Sequence, residues 1–307
     1  MSNRLLSIYL IPAVCSLLFF CAAANSVPVP QEIEQTRRLW DSEFFKPQSK
    51  KGAAKRHYRN ATPNISPERV DGDTVLGITL WRLRPSNATD DKRVRLLKHP
   101  KDETTVLEWT PERINTGTPL APGQRVRLSI EAARSGYLYV VDRELYADGS
   151  VGDSYLIFPT LSILNGDNRL QIGRMVDLPG QNDSPNYFKL EPSRSDQVGE
   201  IIYFIVSPQP LDGIQLGEKE IPISKETLAD WERSWGAQIG RMDLENAAGW
   251  VWSREEKESA ANLKPLKYNS PAPQSLYYRP GAKASDPLLV KLQLRYGKTA
   301  NTAKPKN

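Results

Sequence analysis

Residues 136–159, GYLYVVDRELYADGSVGDSYLIFP, hold two hydrophobic β-type runs around a Gly/Asp-rich turn. Tyr137, Leu138, Tyr139, Val140 and Val141 are aromatic and β-branched enough to read as a buried strand. Ala147, Asp148, Gly149 and Ser150 supply the left-handed backbone that a tight reversal needs, and Leu156, Ile157 and Phe158 form the return strand, which Pro159 stops. No catalytic pattern lies in the stretch, so it speaks to fold and not to activity.

Outward from this hairpin the same signals recur. Residues 75–84, VLGITLWRLR, predict a strand; 93–97 is a weaker extended segment, and 105–110 centres on Trp109. The loop 115–123 is dense in turn formers and leads into 124–132, where Val126, Leu128 and Ile130 alternate with Arg125, Arg127 and Ser129, giving one buried and one wet face. After the hairpin come a turn at Asn165, Gly166, Asp167 and Asn168, short strands at 173–178 and 187–191, and a nearly continuous apolar strand at 200–207. Strands at this spacing suggest a sandwich or a barrel, because a chain of hairpins cannot bury one face without a second layer.

Beyond Pro210 the pattern turns helical. Ser224 can cap a helix in which Leu228, Trp231, Trp235 and Ile239 recur on one face, with Glu226 early to match the helix dipole. A second helix is expected at 253–262, preceded by Trp250 and Trp252, and 264–286 reads as extended, rich in Pro and Tyr. In 288–296, Val290, Leu292, Leu294 and Tyr296 alternate with Lys291, Gln293 and Arg295, which predicts a final strand that rejoins the sheet and closes an edge.

The segments GYLYVVDRE and DGSVG, the LIFP ending at Pro159, NGDNRLQIGRMVDLP, and YFKLEPSRSDQVGEIIYFIVSPQPL from Tyr187 to Leu211 together resemble the bacterial domain of unknown function DUF4384, found in exported and membrane-associated proteins. The resemblance covers residues 75–211. It implies a β-sandwich and supplies no catalytic residue. With it, the expected fold is mainly β, an antiparallel β-sandwich of immunoglobulin-like architecture with a short helical C-terminal extension.

At the amino end, Arg4 is a short basic start, 5–20 is apolar, and Ala22, Ala23 and Ala24 make a small-residue cleavage site. This predicts a signal peptide over 1–24 and a secreted or periplasmic protein; the alternative is an uncleaved N-terminal anchor helix, since the run approaches the ~18 residues of a membrane span. Residues 25–72 are expected as a basic, partly disordered segment, with a short amphipathic helix at 31–45. The sandwich is expected over 73–211, a helix-containing extension over 212–296 and a disordered tail over 297–307. Cys15 and Cys21 both fall in the signal segment, so cleavage leaves no disulfide and no thiol nucleophile. Phe20 and Val14 stand where a lipoprotein signal would place small residues. The net charge of +5 falls by one with Arg4. Lys50, Lys51, Lys55, Arg56 and Arg59 cluster before the first strand, and Lys291, Arg295, Lys298, Lys304 and Lys306 near the end. They read as a solvated linker and tail, and no nucleic-acid partner is expected.

Candidate chemistry is sparse. His57 and His99 are the two histidines, in a basic linker and a Lys-His-Pro loop, and no nucleophile-elbow pattern accompanies them. Zinc would want clustered His and Cys, so no cofactor is expected. Asp142, Glu144, Asp148 and Asp153 surround the hairpin and raise the possibility of carboxylate chemistry, against which stands the ordinary turn role of Asp before Gly. Calcium ligation by Asp71 and Asp73, or by 148–153, lacks a full EF-hand ligand sequence. Asn60, Asn64, Asn87 and Asn182 open N-x-S/T triplets that matter only in a eukaryotic secretory pathway. The ligand-binding candidates are Trp81, Trp109, Trp250 and Trp252, with Tyr268, Tyr277 and Tyr278, as a platform for a sugar or peptide; core packing is the competing reading. An edge strand accepting an extended peptide is a further mode, one that leaves no sequence trace. The expected function is an exported, non-enzymatic binding or interaction module of the bacterial cell envelope, with an envelope protein, peptide or glycan as partner. The alternative is a carboxylate-dependent hydrolase of envelope glycans or peptides.

Overall fold

The computed structural model describes residues 58–62, 75–98, 107–261, 265–266, 270–283 and 285–297. The expected signal segment, the helix expected at 31–45, both histidines, Asp71, Asp73, Tyr268 and the tail beyond 297 lie outside the described residues. In chain order the elements are β1 (Tyr58–Asn60), β2 (Val75–Pro85), β3 (Leu96–Lys98), β4 (Leu107–Ile114), β5 (Arg125–Ala132), β6 (Gly136–Tyr146), β7 (Val151–Phe158), β8 (Arg169–Leu170), β9 (Met175–Leu178), β10 (Phe188–Lys189), β11 (Gln197–Ser207), β12 (Ile221–Ile223), α1 (Lys225–Trp235), β13 (Gly240–Leu244), α2 (Arg254–Ala260), β14 (Ser275–Tyr278) and β15 (Leu288–Arg295).

The strands form two antiparallel sheets packed as a β-sandwich, as expected. In the first, β2 is the long spine. One of its edges takes β14 against Val75 to Ile78 and then β4 against Leu80 to Pro85, and its other edge takes β5. β13 and β1 continue outward from β14, β3 from β4, and β9 and β10 from β5. The second sheet runs β12, β7, β6, β11, β15, with β8 on β6.

Period-two alternation decides which side chains meet. Leu138 and Val140 of β6, Ile202, Phe204 and Val206 of β11, and Val290, Leu292 and Leu294 of β15 join Leu76, Ile78, Leu80, Val126, Leu128 and Ile130 in one core between the sheets. The intervening residues, among them Tyr139, Val141, Ile201, Tyr203, Ile205 and Leu289, lie on the outer face under Leu228, Trp231 and Trp235 of α1. The second sheet is thus covered on both faces, which is why β11 reads as an unbroken apolar run. A second cover, from α2 and its flanks, lies over the outer face of the first sheet, where Trp252 and Ala260 pack with Trp81 and Leu83.

Both helices begin where their caps are. Ser224 Oγ accepts from the Thr227 N–H at 3.0 Å, and Ser253 and Glu256 form a reciprocal capping box. α1 ends at Trp235 with Gly236 as its C-cap, so Ile239, expected on its face, instead follows the helix and packs against the core between the sheets. Past residue 212 the chain adds both helices and four strands, β12 to β15, to the two sheets. The predicted last strand is β15, paired with β11 over Leu288 to Arg295. Among the described residues no helix is long and apolar enough to cross a membrane.

Candidate functional site

The tryptophans come first because the sequence singles them out. Trp81 projects from the outer face of β2 with Arg113 of β4 and Arg127 of β5 as its direct cross-strand neighbours. Its Nε1 donates to Ser129 Oγ at 2.8 Å, and its ring meets Trp252 at 6.0 Å with a 47° tilt. The Arg113 guanidinium lies 5.2 Å from the Trp81 ring and 5.9 Å from Trp250, while Arg127 lies 5.7 Å from Trp252. Each arginine has its own buried acid, Glu256 for Arg113 and Asp177 for Arg127. Burial pushes the Asp177 carboxyl above its ordinary pKa while the Arg127 charge opposes it. Trp109 stands apart, half-buried beside Arg125, which also lies over Tyr187.

Trp81, Trp250 and Trp252 are therefore brought together by a ladder of arginines. Trp81 and Trp252 are 1% exposed, and Trp250 alone of the four faces solvent, at 52%. Stacking a sugar or a base takes an exposed flat pair, which these four do not present. Desolvated cation–π contacts with paired acids are what the arrangement does supply.

The hairpin acids divide into two groups. Asp148 accepts from the Ser150 N–H within the turn, and Asp153 pairs with Lys225 at 3.4 Å, both at the surface. Asp142 and Glu144 point to the inner face and meet Glu200, the direct cross-strand partner of Glu144 on β11. Tyr146 donates to Glu144, Tyr296 donates to Glu200, and Gln197 Nε2 donates to Glu200 at 2.8 Å. Among the described residues no cation pairs with Asp142 or Glu200, and Asp142 Oδ1 and Glu200 Oε2 are buried without a hydrogen bond. Burial raises Asp142 to about 6. Burial, and then the charge of Asp142, raise Glu200 to about 8. Among the described residues no group of three or more acids, histidines or cysteines is arranged to hold a metal ion.

The third feature is a cleft of about 370 Å³ at the β15 side of the sandwich. The chain leaves α1 on the outer face of the second sheet and crosses to β13 in the first, passing the edge of β15. This leaves a gap lined by Ala61, Thr62, Glu232, Gly236, Ile239, Arg241, Tyr277, Leu289 and Lys291. Its backbone wall is β15 itself. The Tyr296 N–H donates to Val198 O on β11 at 2.8 Å; on the opposite side, Arg295 O accepts from the Leu120 N–H, and the Gly297 N–H donates to Leu120 O. Alternation along the strand aims the N–H and C=O groups of Lys291 and Gln293 away from β11. Among the described residues β11 is the one strand that pairs with β15, and none of them covers this stretch of edge between the crossing at Gly236 and the bridge at Leu120.

An edge lysine often screens such a strand. Here Lys291 Nζ is drawn across its own sheet, 3.1 Å from Glu232 and 5.4 Å from the ring of Tyr203, its partner on β11. The charge lies over the outer face and leaves the backbone edge uncovered.

Glu200, Arg113, Arg241 and Glu232 carry no motif and were missed as site residues by the sequence. Their partners are distant in the chain, and strand register for Glu200 and Arg241, and the docking of α1 and α2 on the sheets for Glu232 and Arg113, unites them. The alternation around Lys291 was the one available signal, and it predicted a strand that closes an edge, whereas among the described residues β15 is itself the outermost strand of its sheet. Compared with known proteins, the chain matches no protein-family profile, no curated protein and no solved structure.

Proposed function

We propose that this protein is an exported binding module that receives an extended peptide segment by strand addition along β15. The observation that carries the reading is the outward N–H and C=O groups of Lys291 and Gln293 bordering a cleft with an apolar floor of Ile239, Tyr277 and Leu289. Strand addition draws its affinity from main-chain hydrogen bonds and its specificity from alternate side chains entering flanking pockets. Both parts are present, the open edge and a recess beside it. Export and residence in a bacterial envelope rest on Arg4, the apolar run and Ala22 to Ala24, together with the resemblance over residues 75–211.

The test uses a proline. An outward N–H on an edge strand is spare, so Gln293→Pro removes the donor that an incoming strand needs and leaves the β11 ladder intact. Labelled β-prone peptides of alternating Thr and Val are titrated into the full chain by fluorescence anisotropy. Wild type binds, the Gln293→Pro variant binds at least about ten-fold more weakly, a change of ~1.4 kcal/mol, and its melting temperature is unchanged. Equal binding by the two proteins places the peptide elsewhere and removes the proposal.

A further inference from the structure

Two donors in the cleft lack acceptors. Tyr277 is 3% exposed and its hydroxyl lies beside the Arg241 guanidinium and Ser275 without a hydrogen bond of good geometry to either, and Arg241 Nε is likewise buried without a partner. Leaving such groups unmade costs a folded protein on the order of 1–3 kcal/mol each, so each calls for an explanation. Arg241 and Tyr277 are direct cross-strand partners on β13 and β14, side by side on the inner face at the mouth of the sandwich. The rest of the guanidinium is held loosely, with Nη1 3.3 Å from Thr116 Oγ1 and Nη2 3.3 Å from Asp243 Oδ2, while Asp243 also accepts from the Ser275 hydroxyl at 2.8 Å. The other charges lining the cleft, Lys291 and Glu232, cancel each other. Burial pushes the Tyr277 hydroxyl up to about 12, so it is a proton donor at every physiological pH.

Residues of a strand laid beside β15 alternate between the outer face, toward Glu232 of α1, and the inner face, toward Tyr277 and Arg241. We propose that the segment added at β15 carries an aspartate or glutamate facing inward, whose carboxylate accepts from the Tyr277 hydroxyl and from Arg241 Nε. This rests on the strand-addition reading and gives it a sequence preference. A carboxylate suits the pair because it offers two acceptor oxygens and a charge opposite to the guanidinium. An amide or a hydroxyl supplies no charge, and a lysine side chain brings donors to donors.

The experiment uses three Thr/Val peptides that differ only at the central residue, Glu, Gln or Lys, titrated into the full-length protein. The Glu peptide is expected to bind about ten-fold more tightly than the Gln peptide, with the Lys peptide weakest. Tyr277→Phe combined with Arg241→Met abolishes the difference between Glu and Gln while the Gln peptide still binds. Glu and Gln peptides binding wild type equally, both lost in Gln293→Pro, would overturn the acidic preference and leave strand addition standing. No binding by any peptide overturns both. Self-association of the protein that the Glu peptide fails to displace assigns the edge to a second copy and also overturns the proposal. The comparison of peptides on wild type needs no variant to fold, and thermal melts of the double variant show whether its loss of preference is local.

Discussion

At the scale of single residues, the acid cluster at the end of the sandwich is the most consequential arrangement. Asp142 and Glu200 are both held above their ordinary carboxyl range by burial. In the unfolded chain they ionise near their usual values, so between about pH 4 and pH 8 the folded protein holds protons that the unfolded chain has lost. Stability therefore falls as pH rises through that window and levels off above about pH 8. Glu200→Gln is expected to flatten the slope and raise the melting temperature at about pH 8, by about 2–4 °C for each kcal/mol recovered in a domain of this size. Melts of both proteins across that range check it; a variant with the wild-type slope would show that Glu200 is not the group responsible. None of this was legible in the sequence. Asp142 and Glu144 were visible as acids of a hairpin, but Glu200 sits in an apolar run on another strand, and its place opposite Glu144 comes from the pairing of β6 with β11.

At the scale of elements, the second sheet shows how close approach governs pairing. Gly199 begins the regular ladder of β11 after a register shift, and a Cβ at this position would collide with the Leu294 carbonyl oxygen of β15. Gly199→Ala must push β15 away, costing about 1–3 kcal/mol, the usual range for forced overpacking. Urea unfolding measures the loss, and hydrogen exchange should locate it at the Arg295 end of β15, with the β6–β7 hairpin unaffected; a variant as stable as wild type would mean the two strands are farther apart than described. The elements themselves were largely readable. The β6–β7 turn at Ala147 to Ser150 has Gly149 at φ 84°, α1 starts at its Ser224 cap, and the alternation from Val290 to Leu294 is the inner face of β15. The strand ends were misjudged where half-buried polar residues or a proline continue the ladder. β6 runs on through Asp142, Arg143 and Glu144 to Tyr146, and β4 runs through Pro111, whose carbonyl accepts from the Trp252 N–H. Propensity falls at such sites while the ladder continues, because cross-strand partners and not local preference hold those residues extended.

At the scale of the whole molecule, the C-terminal third is built into the sandwich. β14 completes the edge of β2 opposite Val75 to Ile78, β15 completes the edge of β11, and α1 and α2 cover opposite outer faces. A chain ending at Leu211 is therefore expected to expose Tyr139, Ile201, Tyr203 and Trp81 together and to aggregate without a cooperative melt, whereas a 73–211 unit that folded alone would remain soluble and melt in one step. Size-exclusion chromatography and calorimetry distinguish the two. By itself the sequence determined the β class, the hairpin turn, the Ser224 cap and the inward faces of β5 and β15, because these follow from local periodicity and backbone preference; the wet face expected at Arg127 and Ser129 is instead buried, each 1% exposed, because α2 and its flanks cover it. Only the tertiary structure decided that the tryptophans bracket arginines inside the fold, that Glu200 joins Asp142 and Glu144, and that, among the described residues, β15 keeps an open edge beside Tyr277 and Arg241. The physical reason is that register and sheet order are set by the burial of the entire core, and no short stretch of chain contains that information.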